Sequence, residues 1–265
     1  MEWGHMKICG FLEWPDGQEP SGQLWDALRR QVEAAAPDIL VTNEMPFGPW
    51  LAAASSFDYD EARRSVELHE AALDALASLG IPAVISSRPV WSGGRLANEA
   101  FALEGGRSRP LHRKRFFPQE AGWFEASWFE GGARQSEVHE VNGISVGVLL
   151  CTDLMFNEQA RSYGRQGADL IAVPRAAGRA YNNWTTAGGM AAIVSGSYVV
   201  SSNRVGRAGP GPTFGGLGFA FSPDGTLIAT TSSEAPLMIV EVDVAWAQRQ
   251  KREYPCYVAG APEIE

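Results

Sequence analysis

Cys151, Lys114 and Glu44 are the residues of this 265-residue chain whose types and positions suit nucleophilic chemistry. Each follows a stretch that reads as a strand. Cys151 ends the apolar run 144–150 and is followed by Thr152-Asp153-Leu154; Lys114 follows residues 110–113; Glu44 comes just after Ile39-Leu40-Val41. In open α/β sheets ligands bind beyond the carboxyl ends of the strands, so three such ends bring these side chains toward one rim. A free thiol has a pKa of about 8.5 and is largely protonated near neutrality, so it needs a base or a cation beside it. Glu44 is able to take the thiol proton. Lys114 is able to hold the thiolate and then the oxyanion of a tetrahedral intermediate, a role whose loss costs about 10²–10³ in rate.

The elements that must position them alternate between the helical and the strand period. Residues 7–12 read as a strand. Residues 22–36 read as an amphipathic helix with Leu24, Leu28, Val32 and Ala36 facing inward, ended by Pro37. Residues 38–42 form a short strand. A second helix is expected over about residues 60–79, with Ala62, Val66, His69, Leu73 and Leu76 on one face and Gly80 at its C-terminal cap. Strands follow at 83–86, 98–103 and 110–113, separated by Gly93-Gly94 and Gly105-Gly106. Asn142-Gly143 is a two-residue hairpin signal between 138–141 and the run that ends at Cys151. Helices are expected at 157–166, 184–194 and 244–252, and strands at 169–173, 197–202 and 237–242. The segment 218–230 folds back at Ser222-Pro223-Asp224-Gly225. Helices in pairs with many strands between them fit two packed sheets with helices on their outer faces, in one domain over residues 7–265. Residues 1–6 read as a cloning remnant.

Composition narrows the function. The hydrophobic content of 45% and charged content of 20% are those of a globular protein. A net charge of −9 argues against a nucleic-acid partner, which would need a basic stripe to displace counterions from phosphates. No apolar run approaches the roughly 20 residues of a membrane span, and no signal-peptide pattern opens the chain, so a cytoplasmic protein is expected. Cys9, Cys151 and Cys256 form no C-x-x-C pair, the histidines have no metal-ligand spacing, and no phosphate-binding glycine loop is present. The chemistry is expected to run with no metal and no cofactor.

With these motifs in order, the chain resembles the nitrilase superfamily of carbon–nitrogen hydrolases from residue 7 to about 243. Residues 38–45 resemble the family's catalytic-glutamate motif, His112-Arg113-Lys114 with Pro118 the lysine motif, and residues 147–153 with Glu158 and 167–171 the cysteine motif. Residues 197–206 and 221–225 resemble later family segments. The resemblance implies an α/β fold, the four-layer α-β-β-α sandwich of the carbon–nitrogen hydrolase type. It also implies Glu44 as general base, Lys114 as electrostatic stabiliser, Cys151 as nucleophile and the backbone N–H of Thr152 in the oxyanion hole. A second glutamate positions substrate and lysine in many relatives. Glu120 and Glu125 compete for it, and residues 122–129 resemble the corresponding segment of N-carbamoyl amide hydrolases, which favours Glu125.

Three departures stand out: Asn43 and Asn157 replace usual prolines, and Val194-Ser195-Gly196 stands where many relatives carry Glu-Asn. Thr152-Asp153 replaces the Trp-Glu of true nitrilases, so a small linear amide or N-carbamoyl compound is the expected substrate. A nitrile, or a non-catalytic binding role on the same fold, is the alternative. Arg175 is expected to meet an anionic substrate group, and Trp123, Phe47 and Trp184 to line the pocket. The family further implies a homodimer or higher homo-oligomer, with residues 244–265 at the interface, and neither nucleic-acid nor membrane partners.

Overall fold

In the computed structural model, which describes residues 6–132, 137–209 and 211–259, the first strand is the seam of the molecule. The strands in chain order are β1 (Met6–Pro15), β2 (Ile39–Val41), β3 (Ala83–Ser92), β4 (Arg95–Glu104), β5 (Arg107–Arg113), β6 (His139–Val141) and β7 (Ile144–Val148). They continue with β8 (Leu170–Arg175), β9 (Tyr198–Gly206), β10 (Phe214–Gly215), β11 (Phe219–Phe221), β12 (Leu227–Thr230) and β13 (Leu237–Asp243). The helices are α1 (Gly22–Ala35), α2 (Tyr59–Ala77), α3 (Glu125–Trp128), α4 (Asn157–Arg165), α5 (Tyr181–Ser195) and α6 (Val244–Gln250). The middle of β1 pairs with β2 in parallel and with β13 in antiparallel. Its last residues, Glu13 to Pro15, cross to pair with β9. One half-sheet thus runs β13-β1-β2-β3-β4-β5, and the other joins β6, β7, β8, β9, β11 and β12.

The period-two alternation of apolar residues decides which face meets what. Phe11, Ile39, Val41, Ile85 and Ala100 from the first half meet Val146, Val148, Ala172 and Val200 from the second in the central core. Their strand neighbours Leu12, Leu40, Val84 and Phe101 point the other way, onto Trp25, Leu28 and Val32 of α1 and Ala72 and Leu76 of α2. On the far side Ile171, Val173 and Val199 pack against Ala160 and Tyr163 of α4 and Ala187 and Ala191 of α5. Three apolar layers between four structural ones make the α-β-β-α sandwich.

Several local expectations change. Trp25, not Leu24, is the inward residue of α1, and Leu24 is two-thirds exposed. Trp25, Leu28 and Val32 also sit at helical spacing, and Trp25 stacks on Trp14 at 5.8 Å, burying the larger surface. On α2 the buried residues include Ala62, His69 and Leu76 as expected, but Ser65 and Ala72 take the places of Val66 and Leu73. Ala36 leaves the helix into the left-handed region at φ 44 and caps it, with Pro37 next. β3 and β4 are longer than the apolar runs suggested, because the hairpin across Gly93-Gly94 pairs polar residues out to Ser92 and Arg95. Asn142 and Gly143 both have positive φ, 46 and 79, as a type I′ turn requires. α5 starts at Tyr181, ahead of the expected Trp184; its cap, Ala180, has no side chain that would mark a start. Met6 opens β1 opposite Asp243, inside the fold rather than outside it. Residues 1–5 and 260–265 lie outside the described residues. Among the described residues no helix is long and apolar enough to cross a membrane.

Close helix packing gives a stability test. Gly164 of α4 lies against α5, where an added Cβ would stand 2.4 Å from the carbonyl oxygen of Ser195. Helix propensity alone favours alanine there by about 1 kcal/mol. Collision with rigid backbone costs about 1–3 kcal/mol and wins. Gly164→Ala is therefore expected to lower the urea midpoint, while Gly94→Ala, with nothing within 4 Å of its added Cβ, stays near the parent.

Candidate active site

Glu44 reaches the rim because the chain beyond β2 is held from both halves of the sandwich. The Thr42 N–H donates to Ile85 O of β3, and the Glu44 N–H donates to Arg175 O at the end of β8, at 3.1 Å. The carboxylate is fully engaged. Oε1 accepts from Asn98 Nδ2 at 2.7 Å and from Lys114 Nζ at 2.8 Å, and Oε2 accepts from the Ala176 N–H at 3.1 Å. Lys114 leaves β5 with its N–H donating to Asn98 O, so one residue of β4 orients both charges. The ammonium also donates to Glu125 Oε2 at 2.5 Å, from the first turn of α3. All three charged groups are buried.

Burial alone would pull the Lys114 ammonium down, but Glu125, Glu44 and the charge of Cys151 when ionised outweigh it and hold it well above its ordinary value. Two carboxylates share this one ammonium, which leaves an uncompensated negative charge in a dry site. Burial pushes Glu125 up to about 8, Lys114 opposing and Glu44 adding to the rise. Its Oε1 has no hydrogen-bond partner among the described residues and is available to carry a proton.

Cys151 follows β7 at φ +50, in the left-handed region, and opens a short 3-10 helix, Cys151–Met155. For a residue with a Cβ that conformation costs about 1–3 kcal/mol, and the surroundings must over-determine it. Asp153 does so. Its Oδ2 accepts from the Leu150 N–H at 3.3 Å and contacts His112 Nε2 at 2.8 Å, and its Oδ1 accepts from the N–H groups of Arg115 and Phe116 at 3.2 and 3.1 Å. The cysteine turn is thereby fastened to the His112 side chain just before Lys114 and to the backbone just after it. The thiol makes a long contact to Ala176 O at 3.8 Å, while the Ala176 N–H holds Glu44, so one residue separates acid and thiol. Burial first, then the charge of Glu44, raises the thiol well above its usual value; Lys114 opposes and Glu125 adds. The thiol is neutral at rest, and loses its proton most cheaply to a base inside the site, where the net charge does not change.

The thiol opens onto a cavity of about 360 Å³ whose wall includes Trp123, Glu125, Thr152, Trp184 and Glu120. Glu44 and Lys114 lie behind that wall. Of the residues expected from sequence, Glu44, Lys114, Glu125 and Cys151 come together, and Thr152, Trp123 and Trp184 line the cavity. Glu125 holds the ammonium; Glu120 lies exposed on the wall. One expectation needs correction. Phe47 is not in the cavity wall: it packs in the outer core against Trp14, Trp25 and His69, with ring centroids 5.4–6.0 Å apart. The Arg175 side chain lies outside this cavity and lines an adjoining one. Sequence reasoning missed Asn98 and the latch formed by Asp153 and His112. An asparagine beside Glu99 in the mostly apolar strand 96–103 was the available signal. Among the described residues no group of three or more His, Cys, Asp or Glu side chains is arranged to hold a metal ion.

A four-layer sandwich with glutamate, lysine and cysteine converging at the rim defines the nitrilase superfamily. A family model described as carbon-nitrogen hydrolase matches residues 18–252, and the chain belongs to that family; it is a hydrolase of carbon–nitrogen bonds. It is 24% identical over 246 residues to an N-carbamoylputrescine amidase of Arabidopsis thaliana, covering 85% of this chain and 82% of that protein. A shorter match, 38% identical over 103 residues, joins 38% of this chain to 19% of a glutamine-dependent NAD(+) synthetase of Xylella fastidiosa. Among solved structures, a carbon-nitrogen hydrolase from Helicobacter pylori G27 superposes with a TM-score of 0.83 at 22% identity, covering 95% of this chain and 94% of the other. An amidase from Nesterenkonia sp. superposes with a TM-score of 0.75 at 21% identity, each chain 94% covered. One solved form of that amidase, from strain AN1, carries the acetamide moiety of fluoroacetamide on its active site cysteine.

The raised Glu125 carboxyl has a thermodynamic signature. An acid whose folded pKa lies above its unfolded one binds more protons in the native state across the interval between them. Its contribution is fully present below the unfolded value of 4.5 and is lost as pH rises through about 8. Glu125→Gln removes that loss while keeping the shape. Its stability relative to the parent is expected to improve from pH 5 to pH 8.5, as read by paired urea titrations at the two pH values.

Proposed function

We propose that this protein is a thiol-dependent amidohydrolase that cleaves a small linear amide or N-carbamoyl compound through a Cys151 thioester. The observation that carries this reading is the buried Lys114 ammonium, fixed between Glu44 and Glu125 behind a cavity onto which the strained Cys151 opens. As the sulfur attacks the carbonyl carbon, the thiol proton passes to Glu44. The C–O π pair moves to oxygen, and the oxyanion is met by Lys114 and by the Thr152 N–H. Glu44 returns the proton to the departing nitrogen as the C–N bond breaks, and ammonia or an amine leaves. Water then attacks the thioester with Glu44 as base, and the acid departs with the thiol restored. Glu125 holds the ammonium and, through its free Oε1, meets the substrate nitrogen. Likeness to amidases, and the relative named an N-carbamoylputrescine amidase, support amide rather than nitrile cleavage.

Ammonia release from a panel of short amides, N-carbamoyl amines and the matching nitriles is the test. Cys151→Ala is expected to abolish turnover, and Lys114→Met and Glu44→Gln to lower kcat by at least about 10³, in the range expected for members of one catalytic unit. A Cys151→Ala variant as active as the parent would overturn the reading, and a nitrile hydrolysed faster than its amide would replace it with a nitrilase. Fluoroacetamide, losing fluoride as the S–C bond forms, is expected to add one acetamide moiety to Cys151. Mass spectrometry of peptides containing Cys9 and Cys256 gives the control.

A further inference from the structure

The fold buries two arginines side-on to aromatic rings, and only one is neutralised. Arg204 lies over Trp50 and Phe214 and pairs with Asp16 at 2.6 Å. Arg175, 1% exposed, lies over Trp184 and Phe219 with its guanidinium carbon 5.1 and 4.7 Å from the ring centroids, and makes no ion pair among the described residues. Its Nε donates to Ser201 Oγ at 2.6 Å and its Nη2 to Leu217 O at 2.9 Å, and Nη1 has no hydrogen-bond partner among the described residues. Burial lowers this guanidinium to about 10, while the charges of Cys151, Tyr181 and Glu13, when ionised, act the other way. Glu13 is itself engaged by the Leu217 N–H and the Thr231 hydroxyl. A buried cation without an ion pair is costly, and Glu13, whose charge reaches it, makes no ion pair with it, so the guanidinium keeps a free edge for an anion from outside.

A place for that anion exists. Arg175 lines a cavity of about 360 Å³ with Arg179, Tyr181 and Leu217. Gly178, Arg179 and Trp184 border both this cavity and the one onto which Cys151 opens, so the two adjoin. The 15-residue helix α5 begins at this wall, with no side-chain cap on Ala180 and no acidic residue in its first turn, and its N-terminal dipole end therefore favours negative charge there. The loop between the cavities is rigid, because the buried Asn203 both accepts from the Ala177 N–H and donates to Ala177 O. We propose that this adjoining cavity is the subsite for a carboxylate on the substrate, held by Arg175 and Arg179. The substrate is then a carboxylate-bearing amide: a half-amide of a dicarboxylic acid or an N-carbamoyl amino acid. A carboxylate, with one charge and two planar acceptors, matches the charge and the free edge of the planar Arg175 guanidinium. The inference rests on the amidohydrolase reading and goes beyond it in assigning the charge of the substrate.

Three amides of equal chain length form the test: glutarate monoamide, neutral pentanamide and cationic 5-aminopentanamide, compared by kcat/KM. The monoamide is expected to exceed both others at least tenfold, equal to about 1.4 kcal/mol. Arg179→Ala is expected to raise KM for the monoamide several-fold more than for pentanamide. Equal or better turnover of the neutral or cationic amide overturns the subsite. If neither these amides nor the N-carbamoyl amines of the wider panel are hydrolysed, the amidohydrolase reading fails by itself, and glutarate binding to the Cys151→Ala protein by calorimetry decides the subsite separately. Binding of glutarate that weakens in Arg179→Ala and is absent for 1,5-pentanediol supports it; no binding, or binding indifferent to Arg179, overturns it.

Discussion

One ammonium group organises this molecule. Lys114 Nζ is buried at the meeting of the two half-sheets and is tolerable there because carboxylates from two other segments donate their charge to it. Glu44 arrives from the loop after β2, Glu125 from a one-turn helix, and Asn98 from β4 bonds both the acid and the lysine backbone. Removing the ammonium leaves two buried carboxylates without a cation, and removing both carboxylates leaves a buried ammonium without a counter-charge. The constraint is therefore mutual: the ammonium and its carboxylates require one another to remain buried. Apolar packing in the three core layers gives the site rigid walls, while the charges themselves carry a local cost.

The cysteine is held by a second device that joins it to the same lysine. Asp153 ties the turn of Cys151 to His112 and to the backbone N–H groups of Arg115 and Phe116, so thiol and ammonium move together. Ala176 completes the connection, with its N–H on Glu44 and its carbonyl facing the thiol. Both contacts come from the end of β8, whose next surface-facing residues open toward the Arg175 cavity. The two adjoining cavities thus meet at a single strand end, one holding the thiol and the other lined by the Arg175 side chain.

Much of this was legible in the sequence where a local rule applied. The near-continuous apolar runs of β2, β3, β7 and β8 marked strands buried on both faces, Asn142-Gly143 marked its hairpin, and the strand-end positions of Glu44, Lys114 and Cys151 marked the rim. Local rules failed where two patterns fitted equally well. In α1, Leu24 and Trp25 both continue a helical face, and only the stacking of Trp25 on Trp14 selects between them. Phe47 follows Glu44 so closely in the chain that it read as pocket lining, yet the left-handed turn at Met45 sends it into the outer core.

The sequence by itself determined the fold class, the family and the three residues that meet at the rim, because hydrophobic period and motif order are properties of neighbours along the chain. Charge pairing is not. That Glu125 rather than Glu120 meets the ammonium, that Asp153 latches the Cys151 turn, and that among the described residues Arg204 finds a carboxylate while Arg175 does not, depend on residues up to 188 positions apart. Only the tertiary structure decided these, since the energy of a buried charge depends on what lies within a few ångströms of it.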